Sequence, residues 1–89
     1  MVNAQRLARL HPDTFEVPAY WELQLLKVGD DIKVCSNNER FWVRITGIIG
    51  KTITGIVSNN LWFNELKFGD VIEVRFSNVF DIIRNYSSK

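Results

Sequence analysis

The sequence predicts a mainly β, β-rich α+β fold: a small SH3-like barrel or a strongly curled antiparallel sheet with one or two short N-terminal helices. Residues 40–60 form the longest β-rich run and fit a single hairpin. Gly47 and Gly55 lie inside its arms, where glycine often marks a bulge or bend that curls a sheet. An isolated hairpin is marginal in water, so the flanking segments must supply further strands.

The chain has 89 residues, of which 46% are hydrophobic and 24% charged, as in a folded protein. This length predicts one small domain, residues 1–89. We divide it into an N-terminal helical or extended segment (1–25), a β-barrel core (26–83) and a tail (84–89).

Two short helices are expected before the core. Asn3 is a candidate N-cap for a helix over residues 3–10, which Pro12 would end. Pro18 is placed to open a second helix, PAYWELQLL, since proline is tolerated at a first helical position. The second helix has the clearer pattern of the two.

A short motif occurs twice, as LKVGDDIKV at residues 26–34 and LKFGDVIEV at residues 66–74. Both copies predict a turn that starts a strand. The glycine takes a backbone angle that other residues avoid, and the aspartate hydrogen-bonds its own turn. The alternating apolar residues that follow would point inward. The identical pairs are Leu26/Leu66, Lys27/Lys67, Gly29/Gly69, Asp30/Asp70, Ile32/Ile72 and Val34/Val74.

The first arm of the hairpin has one uniformly apolar face and one mixed face, because side chains alternate along a strand. We expect the apolar face to point to the core. The turn falls at Ile49 and Gly50, where glycine supplies the positive φ. The inward set is Phe41, Val43 and Ile45, and the outward set is Trp42, Arg44 and Thr46.

The remaining connections are short. Residues 36–39 are predicted to form a polar loop, and residues 61–66 a segment or loop packed on the core. Residues 71–76 are a predicted strand, and residues 79–83 a last short strand or helical turn.

Several motifs in combination resemble a family of small uncharacterised domains from bacteria and large DNA viruses. They are HPDTFEVP (11–18), L-x-VGDDIKV (26–34), ERFWVRI (39–45), TITGIVSNN (52–60) and LKFGDVI (66–72). The resemblance covers roughly residues 11–75, and its motifs are specific together and weak singly. Relatives favour Asp-Gly or Asn-Gly at the hairpin tip, where this chain has Ile49-Gly50.

The resemblance implies no catalytic residues, since the family has none assigned. Some members look like immunity proteins that bind a toxin, which is one alternative function. A viral origin, with the host cytoplasm as location, is another implication.

No pattern of reactive residues indicates an enzyme, a cofactor or a metal site. His11 has no second histidine to form a metal site with, and we expect a structural role for it. Cys35 is the one cysteine, which excludes an internal disulfide and fits a reducing, cytoplasmic setting. A Cys35–His11 catalytic pair rests on no local motif. The chain has no run of 18 apolar residues, so no membrane association is expected.

The aromatic residues indicate binding to a protein partner or self-association. Trp21, Trp42 and Trp62 are many tryptophans for so small a domain, and we expect at least one in the core. Exposed aromatics beside arginine are typical of protein-binding surfaces. Nucleic-acid binding is the alternative, disfavoured by a net charge of only +1. The candidate binding residues are Trp42, Arg44, Ile49, Trp62 and Arg40.

Overall fold

The computed structural model describes residues 1–85, so the last four residues of the predicted tail, 84–89, lie outside the described chain. The helices are α1 (Ala4–Leu10) and α2 (Tyr20–Leu23). The strands are β1 (Asp31–Ser36), β2 (Glu39–Ile49), β3 (Thr52–Val57), β4 (Val71–Arg75) and β5 (Asp81–Ile83), and a 3₁₀ turn (Phe76–Asn78) lies between β4 and β5.

All five strands form one antiparallel sheet in the order β4-β3-β2-β1-β5, which confirms the mainly β prediction. The sheet is curled but not closed. β4 and β5 lie at opposite edges, although only residues 76–80 separate them in sequence. Four strand spacings would put the edges of a flat sheet about 19 Å apart. A short link that contains a 3₁₀ turn cannot easily span that distance, so the sheet must curve to bring its edges together.

The β2–β3 hairpin turns at Gly50, whose φ is +60°. Ile49 pairs with Thr52, and the register then shifts between Ile45 and Gly47, a bulge of the kind that the glycine predicted. Gly55 lies where β2 and β3 approach closely. A Cβ at this position would collide with the Val43 side chain and lie 2.7 Å from the carbonyl oxygen of Arg44.

The two copies of the LKxGD motif form the same turn. Gly29 and Gly69 both have positive φ, +99° and +91°. In each copy the aspartate Oδ2 accepts the backbone N–H of the lysine three residues earlier, at 3.1 Å for Asp30 and 2.9 Å for Asp70. The glycine N–H and the aspartate carbonyl then bond one hairpin residue, which is Ile45 in the first copy and Val57 in the second. The prediction of a turn that starts a strand is therefore confirmed in both places.

The main core lies on the inner side of the curled sheet. The apolar face of β2 is almost fully buried there, as predicted. Side chains from α2, from all five strands and from the 3₁₀ turn join it in one cluster. The buried members are Leu23, Leu26, Ile32, Val34, Phe41, Val43, Ile45, Ile53, Val57, Val74, Phe76 and Val79.

A second, smaller apolar cluster lies around Ala4 of α1, and it includes Cys35 and Phe80. Asn3 is the N-cap of α1, as predicted, and its side chain accepts the N–H of Arg6 at 2.9 Å. α1 is the longer helix, with seven residues against four in α2. The expectation that the second helix would be the better formed of the two was therefore wrong. Pro18 does not occupy the first helical position either, because the N-cap of α2 is Ala19.

The predicted polar loop at residues 36–39 is a tight turn between paired strands. Asn37 and Asn38 both have positive φ, which asparagine tolerates better than most residues, and Ser36 pairs with Glu39. Neither α1 nor α2 has the length or the apolar character to cross a membrane.

Candidate functional site

The structure places the predicted binding residues at three places along β2. Trp62 lies beside Glu39 at the start of the strand, Trp42 and Arg44 occupy its middle, and Ile49 lies at its end, 86% exposed. Eleven residues of strand extend over roughly 35 Å, less where a bulge or curvature shortens them. Ile49 and Trp62 therefore do not belong to one contact surface.

Residues 61–64, the aromatic loop, expose two adjacent aromatic side chains. Trp62 is 85% and Phe63 is 76% exposed, while the flanking Leu61 and Leu66 pack against the main core. The prediction that residues 61–66 pack on the core therefore holds for the leucines and is wrong for the aromatics between them. The two leucines anchor the loop, and the aromatic side chains project from it.

The Glu39 carboxylate holds the backbone of the aromatic loop. Its Oε2 accepts the N–H of Trp62 at 2.6 Å, and its Oε1 accepts the N–H of Phe63 at 2.9 Å and the Asn64 side chain at 3.0 Å. The same Asn64 amide donates to the carbonyl of Ser36 at 3.0 Å. We call Glu39 and Asn64 the loop clamp, since together they fix the loop to the β1–β2 turn.

The loop clamp stabilises the ionised form of Glu39. Burial raises the pKa of its carboxyl, but the hydrogen bonds from Phe63, Trp62 and Asn64 lower it by more, so the pKa of Glu39 lies below its usual value. A carboxylate that accepts several N–H donors keeps its charge as the acceptor of strong hydrogen bonds. Sequence reasoning missed Glu39 and Asn64, because nothing in the local pattern links residues so far apart.

Trp42 points outward from β2, as the strand alternation predicted. Its ring is half-buried and lies under the ammonium of Lys33, its cross-strand neighbour, at 4.9 Å from nitrogen to ring centre. The backbone N–H of Trp42 donates to the Asn59 side chain at 2.6 Å. Trp42 is thus partly covered by one flexible side chain and partly open to solvent.

Arg44 forms a bidentate ion pair with Asp31, directly opposite on β1. The Nε–Oδ1 distance is 3.0 Å and the Nη2–Oδ2 distance is 3.2 Å. Burial raises the pKa of Asp31. The hydrogen bonds from Arg44 and Asn85, together with the charge of Arg44, lower it by more, so the pKa of Asp31 lies below its usual value. The pKa of Arg44 is raised by the same pair. Arg44 already has its acceptor within the chain.

None of the three tryptophans is a buried core residue, which corrects the expectation that at least one would be. Trp21 is 65% exposed on α2. Its neighbour Tyr20 contacts Phe76, with ring centres 6.4 Å apart, and lies under Lys51 of the hairpin turn. These contacts place Tyr20 near the hairpin tip. The main core is filled by aliphatic side chains, Phe41 and Phe76 instead.

His11 caps a helix and packs against a ring, and Cys35 is part of an apolar cluster. The backbone N–H of His11 donates to the carbonyl of Leu7 and caps α1, and its ring packs 6.1 Å from that of Phe15. Cys35 is a free, buried thiol in the second apolar cluster. No three His, Cys, Asp or Glu side chains within residues 1–85 lie close enough together to hold a metal ion.

No family model, curated protein or solved structure matches this chain. The function is therefore inferred from the geometry of the surface.

Proposed function

We propose that the protein is a non-catalytic protein-binding module whose contact surface is the aromatic loop. The observation that carries this proposal is the pair of exposed rings, Trp62 and Phe63, on a backbone that Glu39 holds with two hydrogen bonds. Exposed aromatics cost solubility unless something covers them. A backbone that is already fixed loses little entropy on binding, which favours affinity.

The charges around the loop favour a protein over a nucleic acid. Two acidic residues adjoin the loop: Glu39 binds its backbone, and Glu65 follows Asn64 in the sequence. Bases stack well on tryptophan, but nucleic-acid sites pair their aromatics with basic side chains that neutralise phosphate. A protein partner with an apolar pocket suits this surface better. Self-association through the same rings is the case in which the partner is a second copy.

The test compares matched tryptophan variants. The wild type, Trp62→Ala and Trp21→Ala would each be used as bait in the native cell extract, and each would be analysed by sedimentation velocity. Trp21 is the control because it is also a largely exposed tryptophan. We expect a partner, or a dimer, that survives Trp21→Ala and is lost with Trp62→Ala. A monomeric protein with no partner that depends on Trp62 would overturn the proposal.

We further propose that the curled sheet is an open barrel of the SH3-like kind, in a reducing, cytoplasmic setting. The support for the barrel is the strand order, in which the chain passes from β4 through a 3₁₀ turn to pair β5 with β1. The support for the setting is Cys35, an unpaired thiol.

A further inference from the structure

The two arginines on the outer face of β2 differ in their partners. Arg44 is matched by Asp31. Arg40 instead lies beside two neighbouring aromatic rings, with its guanidinium carbon 4.8 Å from the centre of Phe80 and 5.8 Å from that of Phe15. Among the described residues, no carboxylate lies within 4.0 Å of Arg40, and its side-chain N–H groups donate to no protein acceptor. Contact with the two rings orients the guanidinium and leaves its N–H donors available.

Arg40 lines a cleft of about 540 Å³ between residues 14–18 and the outer face of the sheet. Lys33 and Arg84 line the same cleft. Lys33 pairs with Trp42 and therefore lies diagonally across from Arg40, at a spacing of about 7–8 Å between the two backbones. The Lys33 ammonium lies over the Trp42 ring in this structure. Its flexible side chain can turn from that ring, so that both cations reach one anionic group.

Three carboxylates also line the cleft, and their positions restrict what it can hold. Glu22 accepts the N–H of Ala19 at 3.0 Å, and Asp81 accepts the N–H of Ile82 at 2.8 Å, so both cap local backbone. The third is Glu16, which lies on the opposite wall. With three cations and three carboxylates, the lining has no net charge, so it lacks the basic excess that attracts a polyanion such as a nucleic acid. It suits a single small anionic group placed against Arg40.

We propose that this cleft binds one oxyanion, a carboxylate or a phosphate group of a ligand, with Arg40 as the main donor and Lys33 as a second. The planar guanidinium fork matches both groups through two parallel hydrogen bonds. The cleft is separate from the aromatic loop, so this proposal does not depend on the proposed function.

The test is an NMR titration of the full chain with inorganic phosphate and, separately, with acetate, both at constant ionic strength. We expect at least one anion to shift the Nε–H signal of Arg40 in a saturable way while the signal of Arg44 stays in place. Phosphate alone, or acetate alone, would identify the group that the cleft selects. No saturable shift with either anion would overturn the proposal.

Variants distinguish anion binding in this cleft from a general effect of the protein's charge. Arg40→Gln should weaken the binding by about tenfold or more, since it removes a charge-assisted bidentate contact. Arg44→Gln, which removes the same charge outside the cleft, should change it less than about twofold by the same reasoning. Arg40→Lys and Lys33→Gln keep the rest of the cleft and should each weaken binding in part. Equal losses in Arg40→Gln and Arg44→Gln, or no loss in Arg40→Lys and Lys33→Gln, would overturn the proposal.

Discussion

The side chain of Glu39 accepts the backbone N–H of Trp62 at 2.6 Å, although 23 residues separate them. This bond joins the start of β2 to a loop between β3 and β4. It turns a long connection into a fixed platform for two exposed rings.

Glu39→Gln should release the aromatic loop without unfolding the sheet. The amide keeps one acceptor oxygen, so it cannot accept the N–H groups of Trp62, Phe63 and Asn64 in the same arrangement. We expect faster hydrogen exchange at the amides of Trp62 and Phe63, with exchange in β2 and β3 unchanged. Glu65→Gln is the matched control, because Glu65 is an exposed glutamate that directly follows Asn64 in the sequence. Unchanged protection in Glu39→Gln would show that the leucine anchors alone fix the loop.

The order of the aromatic loop should depend on pH. The pKa of Glu39 is lowered in the folded protein, so the clamp is fully present above the ordinary value of 4.5 and is lost as the pH falls below it toward the lower, folded value. We expect the amide signals of Trp62 and Phe63 to shift and broaden together on acidification, and this response to be absent in Glu39→Gln. Asp31→Asn should leave the response in place. A loop that responds identically in Glu39→Gln would contradict the assignment.

Gly55→Ala should destabilise the fold where Gly47→Ala does not. A methyl group at residue 55 meets the Val43 side chain and the Arg44 carbonyl oxygen, whereas residue 47 has open space around it. We expect a loss of about 1–3 kcal/mol for Gly55→Ala, from overpacking, and a change within about 0.5 kcal/mol for Gly47→Ala. Urea denaturation measures both. Similar stabilities of the two variants would mean that the hairpin relaxes around the added methyl.

Trp42→Ala should cost about 1–2 kcal/mol of unfolding free energy, well below the ~3–5 kcal/mol of a buried aromatic ring. Trp42 is half-buried, and the flexible side chain of Lys33 lies over its ring. Phe41→Ala is the comparison, because Phe41 directly precedes Trp42 and is fully buried. This variant should lose the larger amount of unfolding free energy. Chemical denaturation of both variants decides the matter. A loss above ~3 kcal/mol for Trp42→Ala would remove Trp42 from the candidate binding residues.

Local chemistry explains which parts of the fold were predictable. Alternation along β2 identified Phe41 and Val43 as inward residues, and the Gly-Asp pairs identified both turns, because each of these depends on neighbours in the sequence. The exposure of Trp62 and the stacking of Arg40 depend on residues brought together only by the curled sheet. Composition suggested a tryptophan in the core, but the main core is filled by aliphatic side chains, Phe41 and Phe76.

The candidate site was also predictable only where it depends on residue type and sequence neighbours. Trp42, Arg44, Ile49, Trp62 and Arg40 were identifiable as aromatic or basic residues near β2. The sequence did not reveal which of these residues already has a partner within the chain. Arg44 and Arg40 are both arginines on the same face of β2, and they differ only in the side chains that the fold places next to them. Asp31 faces Arg44, and Phe15 and Phe80 lie beside Arg40.

The pairing of β5 with β1 has a consequence for synthesis of the chain. β5 follows β1, β2, β3 and β4 in the chain, so the β5 side of β1 stays unpaired until the other four strands have been made. An unpaired strand edge invites association between nascent chains. Val2 precedes β1, and its N–H bonds the carbonyl of Cys35, just beyond the stretch that β5 later occupies. The segment before β1 can therefore cover part of this strand edge before β5 is made.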